Sequence, residues 1–521
     1  MTSPAHNVAQ YLLEGKDPSR DALLTLQGAH TYGELTSAAH DVAGYLLQAG
    51  GAKGDRVLLA SDNGLFWVAA YLGILRAGMV CVPVPPSISP QDFDHIWQTI
   101  EARFAFLQAG FASKHADRMA NCQVVTDKPA TATKGTAEWV SFEGIRSRAC
   151  PGDHPVAPTS ESALAALMFT SGSTGKPRGV MISHGNIIAN TESIVEYLKL
   201  TEADRMMTVL PFHYCFGTSL LHTHLRVGGS LVLDQRFMYP EVVLQRMAET
   251  ECTGFAGVPS HFQILLRNSS LRQKSFPQLR LVQQAGGQLA PVFIRELRQA
   301  IPNAGVFIMY GQTEASARLS YLPPEFLETK IGSVGKGIPG VMLRVIGEDG
   351  RQVQPGEVGE IVAQGGNIAL GYWREPAETA ATFRDGSLHT GDLATVDDKG
   401  FIYIVDRARD FLKIAGKRVS CSQIEDQLLE CADLVEAAVI GIPDEVLGEA
   451  VQAFVVPRNG NANSLQESLY QFCRSKMPPQ QVPKDIVLVK ALPKNSAGKV
   501  LKRQLRERSL PKPEPTLCAG R

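Results

Sequence analysis

No apolar run in this sequence approaches the roughly 20 residues that a membrane-crossing helix needs. Residues 1–10 lack a basic flank followed by an apolar core, so no secretory signal is expected there. Charge of either sign is not in surplus: Lys+Arg number 51 and Asp+Glu 52, a formal net charge of −1, which argues against a nucleic-acid footprint. No C-x-x-C pair occurs, and the nine cysteines are odd in number. That pattern fits reduced thiols in a cytoplasmic protein better than a disulfide framework. Internal repeats and low-complexity blocks are also missing. What remains is ordinary globular composition, 44% hydrophobic and 20% charged, spread over 521 residues. That length exceeds one ordinary core, so a large domain and at least one smaller one are expected.

The stretch Thr170-Ser171-Gly172-Ser173-Thr174-Gly175-Lys176-Pro177-Arg178-Gly179 follows a buried-strand pattern over 163–169. Glycines let backbone approach a ligand, and successive N–H groups in such a turn form an anion-binding nest. The hydroxyls, Lys176 and Arg178 add donors and positive charge, so the stretch reads as a polyphosphate loop. A plain Gly/Ser surface turn is the alternative. A Walker A loop is excluded, because the spacing from Gly172 to Gly175 is too short and Pro177 follows the lysine.

Along the chain, Thr31 and Glu34 form a capping box that opens a helix, closed by Gly50 and Gly51. Strands are expected at 56–60, 80–84, 179–182, 206–210, 231–233, 255–258, 281–284 and 306–310. Helices are expected at 64–77, 186–199, 241–249 and 291–300. This alternation predicts parallel βαβ layers. After about residue 331 short strands separated by glycine turns, such as Asp349-Gly350 and Lys399-Gly400, predict a β-rich part. From 411 a compact α+β unit follows, with a β pair over 413–419, helices over 422–430 and 465–474, and strands over 436–440 and 452–456. The fold class is therefore α/β: a large N-terminal domain of layered sheets with a β-rich subdomain, and a small α+β C-terminal domain. The boundaries read as 1–406 (β-rich from about 331), a hinge at 407–410, a C-terminal unit at 411–508 and a tail at 509–521.

Other stretches could carry chemistry, and some have a plainer alternative beside them. Pro211-Phe212-His213-Tyr214-Cys215-Phe216-Gly217 offers an aromatic cluster for a pocket, or simply core packing. Gln284-Ala285-Gly286-Gly287-Gln288 has a flat backbone on which a planar ring can stack, or is an ordinary strand-to-loop turn. Tyr310-Gly311-Gln312-Thr313-Glu314 ends a strand, where open α/β sheets bind ligands. Thr390-Gly391-Asp392 places a carboxylate after a glycine, and Pro493 to Lys502 carries Lys499 beside Gly498.

In their order and spacing these motifs resemble the adenylate-forming superfamily of acyl- and aryl-CoA synthetases, adenylation domains and luciferases, over about 31–502. The resemblance implies ATP as substrate, gripped by Thr170, Ser171, Gly172, Ser173, Thr174, Gly175 and Lys176. It implies adenine between Gly286, Gly287 and Tyr310, with Gly311 and Gln312 alongside. Thr313 would meet the α-phosphate, Glu314 would hold Mg2+, and Asp392 with Arg407 would hold the ribose. Asp406 replaces the glycine usual before that arginine. His213 would gate the acid pocket, Asp410 would be the hinge, Gly416 would line the pantetheine tunnel, and Lys499 would be the catalytic lysine. The reaction implied is activation of a fatty or aryl acid to acyl-AMP with release of pyrophosphate, then transfer to coenzyme A. A ligase loading an acyl carrier protein is the alternative. The 211–217 stretch has no Asp to pair an α-ammonium, which argues against an α-amino acid. Arg318 is a candidate to pair a polar or second carboxyl group of the substrate.

Overall fold

The capping box at Thr31 forms: the Thr31 hydroxyl accepts from the Glu34 N–H and the Glu34 carboxylate accepts from the Thr31 N–H, each at 3.2 Å. The helix it starts, Tyr32–Gln48, packs on Leu65–Arg76, a helix buried on nearly all sides. Gly73 is the point of contact. A Cβ there would lie 2.5 Å from the Val42 side chain and 2.8 Å from the Ala39 carbonyl, so a larger residue would force the two helices apart.

The computed structural model describes residues 7–119, 121–130, 139–147, 156–171, 176–407, 411–414, 417–444, 447–458, 462–495 and 498–509. Among these, four sheets form. The first has parallel strands Gly305–Tyr310, Leu281–Gln284, Gly254–Gly257, Arg205–Thr208, Ser230–Leu233 and Asp21–Leu24 side by side, with antiparallel strands at both edges. The second is also mostly parallel. Its edge is the antiparallel hairpin of Leu164–Ser171 and Pro177–Ser183, in which Thr170 faces Arg178. Residues 172–175, between its two strands, lie outside the described residues. One continuous apolar cluster runs between these two sheets and the helices around them. Burial on both faces explains why their strands read as apolar runs without alternation.

The third sheet is antiparallel, built from Val341–Ile346, Gly359–Gly365, Phe383–Arg384, Ser387–Val396 and Ile402–Arg407. Gly400, at φ +79°, makes the turn between its last two strands. The fourth pairs Lys417–Ser420, Phe411–Ile414, Gly448–Pro457 and Leu434–Asp444, with Asp485–Leu488 parallel to the third of these. It has its own apolar cluster around Ile424, Leu428, Val439 and Leu469. The architecture is thus a large mixed α/β body and a smaller α+β one. No described helix is long and apolar enough to cross a membrane.

Helix Cys215–Val227 has no counterpart in the sequence reading. Its N-cap is Tyr214, which makes no side-chain cap bond, so the usual Ser, Thr, Asp or Asn start signal is missing. Its polar residues are buried as well, which blurs the apolar period. His222 bonds the Tyr71 hydroxyl at 2.8 Å, and His224 bonds the Leu220 carbonyl at 2.9 Å.

Candidate active site

Strands Leu281–Gln284 and Gly305–Tyr310 run parallel and end at two tight loops. In the first, Gly286 has φ +84°, and a Cβ there would lie 2.9 Å from Val258 Cγ1. Both the backbone angle and the space call for glycine. Gln284 Nε2 donates to the Gly287 carbonyl at 2.8 Å and pins the loop. In the second, a Cβ on Gly311 would lie 1.9 Å from the Ala317 carbonyl oxygen and 2.9 Å from Arg318 Cα. The chain therefore folds back on itself directly after Tyr310, through a left-handed Ser316, and the Leu319 N–H donates to the Tyr310 carbonyl at 2.9 Å. Gln312 is the cap residue that starts the short turn Thr313–Ala315.

The Tyr310 hydroxyl donates to Asp392 Oδ2 at 2.7 Å, joining the first sheet to the third across 82 residues. Asp392 pairs in register with Arg407 on the neighbouring strand. The side chain of Arg407 lies outside the described residues, as do Ser171's side chain, residues 172–175 and Gly416. The hinge candidate, Asp410, lies outside them too.

Glu314 is held by the Tyr372 hydroxyl, which donates to its Oε1 at 2.9 Å. Burial, reinforced by the Glu314 charge, raises the Tyr372 phenol well above its ordinary value, so the ring stays protonated and able to donate. The same segment strings along the hairpin strand. Leu370 N–H donates to the Met181 carbonyl, Met181 N–H to the Gly371 carbonyl, and Trp373 N–H to the Gly179 carbonyl. The hairpin and Glu314 are thereby brought to one place. Lys176 stands exposed at the start of the return strand. Arg178 departs from the sequence reading. Its guanidinium pairs with Glu375 at 3.2 Å and Glu378 at 2.9 Å and lies over the Tyr372 ring, so its charge is neutralised within the protein.

Thr313 Oγ1 lies 3.5 Å from Cys215 Sγ, which sets the start of helix Cys215–Val227 against the same rim. Burial raises the Cys215 thiol, so it stays protonated. Gly217 allows the helix to begin directly on Pro211, whose carbonyl oxygen would lie 2.1 Å from a Cβ there. His213 precedes this helix, packed against Tyr214 at 4.6 Å between ring centres. Burial pushes its imidazole down to about 3, so it is neutral at physiological pH and presents shape and a hydrogen bond without charge.

Arg318 is 1% exposed, and its guanidinium stacks over Phe216 at 4.7 Å. Among the described residues it has no ion pair, and its Nε and Nη2 meet no acceptor.

Lys499 stands exposed on a turn that closes through Asn495: the Lys499 N–H donates to Asn495 Oδ1 and the Asn495 N–H to the Lys499 carbonyl, each at 2.9 Å. The preceding Gly498, at φ +81°, rests on the large body. Ser260 Oγ donates to its carbonyl at 3.0 Å, and a Cβ there would lie 3.0 Å from Val258 Cγ2. Val258 is the residue that also backs Gly286. Arg267 fastens the two bodies elsewhere: its Nη1 donates to the Ala432 carbonyl at 2.8 Å, its own carbonyl accepts from Arg458 Nε at 2.9 Å, and Glu296 pairs with it at 2.6 Å. Gln288 Nε2 donates to Asp426 Oδ2 at 2.8 Å. Sequence reasoning passed over Tyr372, Val258 and Arg267, since an isolated tyrosine, valine or helical arginine carries no local signal.

Among the described residues no group of three or more His, Cys, Asp or Glu gathers as a ready metal cage. A lone Glu314 still suits Mg2+, which keeps several waters and takes one or two carboxylates together with substrate phosphates.

Two family models match the chain, "AMP-binding enzyme" over residues 14–373 and "AMP-binding enzyme C-terminal domain" over residues 423–499. A long-chain-fatty-acid–CoA ligase of Escherichia coli is 32% identical over 487 residues, covering 87% of this chain and 85% of its own. A feruloyl-CoA synthase of Amycolatopsis sp is 31% identical over 485 residues, covering 92% and 94%. The solved o-succinylbenzoate CoA synthetase of Bacillus subtilis, in complex with its acyl-adenylate intermediate, superposes with a TM-score of 0.83 at 26% identity, over 96% of this chain and 98% of that one. The chain belongs to the AMP-binding enzyme family of adenylate-forming ligases.

Proposed function

We propose that the protein is an AMP-forming acid–CoA ligase in which the residues gathered at the strand ends do the chemistry. A carboxylic acid attacks the α-phosphorus of ATP and pyrophosphate leaves, giving an acyl-AMP. The thiol of coenzyme A then attacks the acyl carbon and AMP leaves. The observation that carries this reading is Val258. It backs the Gly286 loop on one side and the Gly498 turn on the other, so the exposed Lys499 sits beside the loop assigned to adenine.

The first step has an electrostatic obstacle, because an anion must approach a polyanion. Tyr310 and the Gly286–Gly287 backbone would flank adenine, and Asp392 with Arg407 would hold the ribose. The 170–176 hairpin would cradle the phosphates with N–H groups and hydroxyls. Thr313 would donate to the α-phosphate, and Lys499 would offset charge that develops as the pentavalent centre forms. Glu314, oriented by Tyr372, would hold Mg2+, which when bound neutralises phosphate charge. Neutral His213 would close the acid pocket without repelling or trapping the substrate carboxylate. For the second step we propose rotation of the 411–508 unit about 407–410, exchanging the Lys499 turn for Gly416 and the pantetheine tunnel.

Coenzyme A is favoured over a carrier protein because the relatives above 30% identity are named as CoA ligases. A cytoplasmic setting is supported by nine cysteines without a C-x-x-C pair. The test is a screen of aliphatic, aromatic and amino acids with ATP, Mg2+ and coenzyme A, reading AMP and acyl-CoA by mass. Acid-dependent AMP together with acyl-CoA is expected. Thioester on holo carrier protein alone would move the reading to the loading ligase, and no acid-dependent AMP at all would sink it.

A further inference from the structure

Arg318 is a buried cation with no counter-charge among the described residues. A buried guanidinium costs several kcal/mol unless it is paired and hydrogen-bonded. Arg318 has no ion pair among the described residues, and two of its nitrogens are buried without an acceptor. Its immediate company is the Phe216 ring at 4.7 Å and the Tyr197 hydroxyl, neither of which balances a charge. Its backbone is fixed with care. The Arg318 carbonyl accepts from Asn367 Nδ2 at 2.8 Å and from Asn190 Nδ2 at 3.3 Å, and its Cα packs on Gly311.

The place matters as much as the charge. Arg318 follows Glu314 by four residues on the loop that folds back under Tyr310. Phe216, beneath its guanidinium, follows Cys215, whose sulfur lies beside Thr313. The cation thus reaches, through Phe216 and Cys215, the rim where the acid's reacting carboxylate would meet the α-phosphate. It is walled by the helix that His213 precedes.

We infer that Arg318 pairs with a second carboxylate at the far end of a short dicarboxylic acid, making that class the substrate. The inference rests on the ligase reading above and adds the identity of the acid. A carboxylate fits a guanidinium fork with two parallel hydrogen bonds and would occupy the unpaired Nε and Nη2 together. A long aliphatic tail laid along the same path would leave the charge buried and unpaired, which is discrimination against fatty acids.

The experiment compares chain-matched probes, succinate with butyrate and glutarate with pentanoate, by AMP production in wild type, Arg318→Met and Arg318→Lys. Wild type is expected to prefer the dicarboxylate of each pair. Arg318→Met should lower kcat/KM for succinate by about 30-fold or more, the scale for truncating one partner of a buried charge pair, and should invert the preference. Arg318→Lys should recover part of the succinate activity. Calorimetric titration of succinate in the presence of AMP gives a readout that needs no turnover. Binding to wild type with loss in Arg318→Met is expected. A wild-type preference for monocarboxylates, equal losses for both members of a pair, or no dicarboxylate binding by wild type would overturn the inference. Succinate binding through Arg318 with no AMP formed from any acid would overturn the ligase reading alone.

Discussion

The Tyr310 hydroxyl donates to the Asp392 carboxylate at 2.7 Å, and both side chains are buried. One is proposed for adenine and the other for ribose, so on that proposal a single hydrogen bond would tie the two halves of the nucleoside site. Removing the hydroxyl leaves a buried carboxylate short of a donor, a loss of about 1–3 kcal/mol. Tyr310→Phe keeps the ring, so KM for ATP should rise roughly tenfold or more while the acid preference stays the same. Initial rates at varied ATP check it. A change in acid preference with unaltered KM for ATP would put Tyr310 in the acid pocket instead.

How much of this was legible in the sequence depends on whether the information is local. The Thr31–Glu34 capping box and the strand before Thr170 are local signals, and both read correctly, while the glycines at 286 and 311 mark tight loops that only glycine fits. The bond between Tyr310 and Asp392 spans two sheets and cannot be seen in either motif alone. Arg178 reads as phosphate charge because Lys176 is nearby, yet Glu375 and Glu378, some 200 residues on, absorb it. Helix Cys215–Val227 escaped because its cap is an aromatic residue and its histidines are core residues. Tyr372, which orients Glu314, is found only when the 370–373 segment is seen lying against the hairpin strand.

Lys499 and Gly416 are assigned to different steps, so their variants should separate the steps. Lys499→Ala is expected to lower acyl-AMP formation by about 100-fold, on the scale of losing one transition-state charge contact, while thioester formation from supplied acyl-AMP continues. Gly416→Trp is expected to do the reverse. Pyrophosphate release and acyl-CoA formation, measured separately, decide it. Equal loss of both steps in Lys499→Ala would end the assignment.

Asp426, which accepts from Gln288 across the two bodies, has its carboxyl raised from 3.8 to about 7, chiefly by burial and then by Glu425, with the Gln288 bond pulling the other way. Glu425 is itself paired with Lys502, and Glu430 lies nearby. The folded protein therefore holds a proton that the unfolded chain releases. The stability this contributes is full below the ordinary value of 3.8 and is lost as pH rises from there to about 7. Thermal unfolding of Asp426→Asn should depend less on pH between about 5 and 7 than that of wild type. Identical pH profiles for the two proteins would show that the carboxyl does not carry the raised value.

Tyr372 and Glu314 give the last expectation, because on the proposed function they would separate holding Mg2+ from orienting its ligand. Glu314→Gln removes the charge, so the Mg2+ concentration for half-maximal rate should rise by about 10–100-fold and kcat should fall with it. Tyr372→Phe removes the donor to Oε1, and with it a contact to the Thr382 side chain, while leaving the Glu314 charge in place. It should raise the Mg2+ requirement by about tenfold, in the range found when a hydrogen-bond partner of a metal ligand is lost. Because Tyr372 also lies under Arg178, the control is Arg178→Gln, which disturbs the ion pairs with Glu375 and Glu378 and leaves the phenol in place. A Tyr372→Phe enzyme with wild-type magnesium dependence, measured by AMP production across a Mg2+ titration, would show that the phenol braces the 370–373 segment and does not tune Glu314.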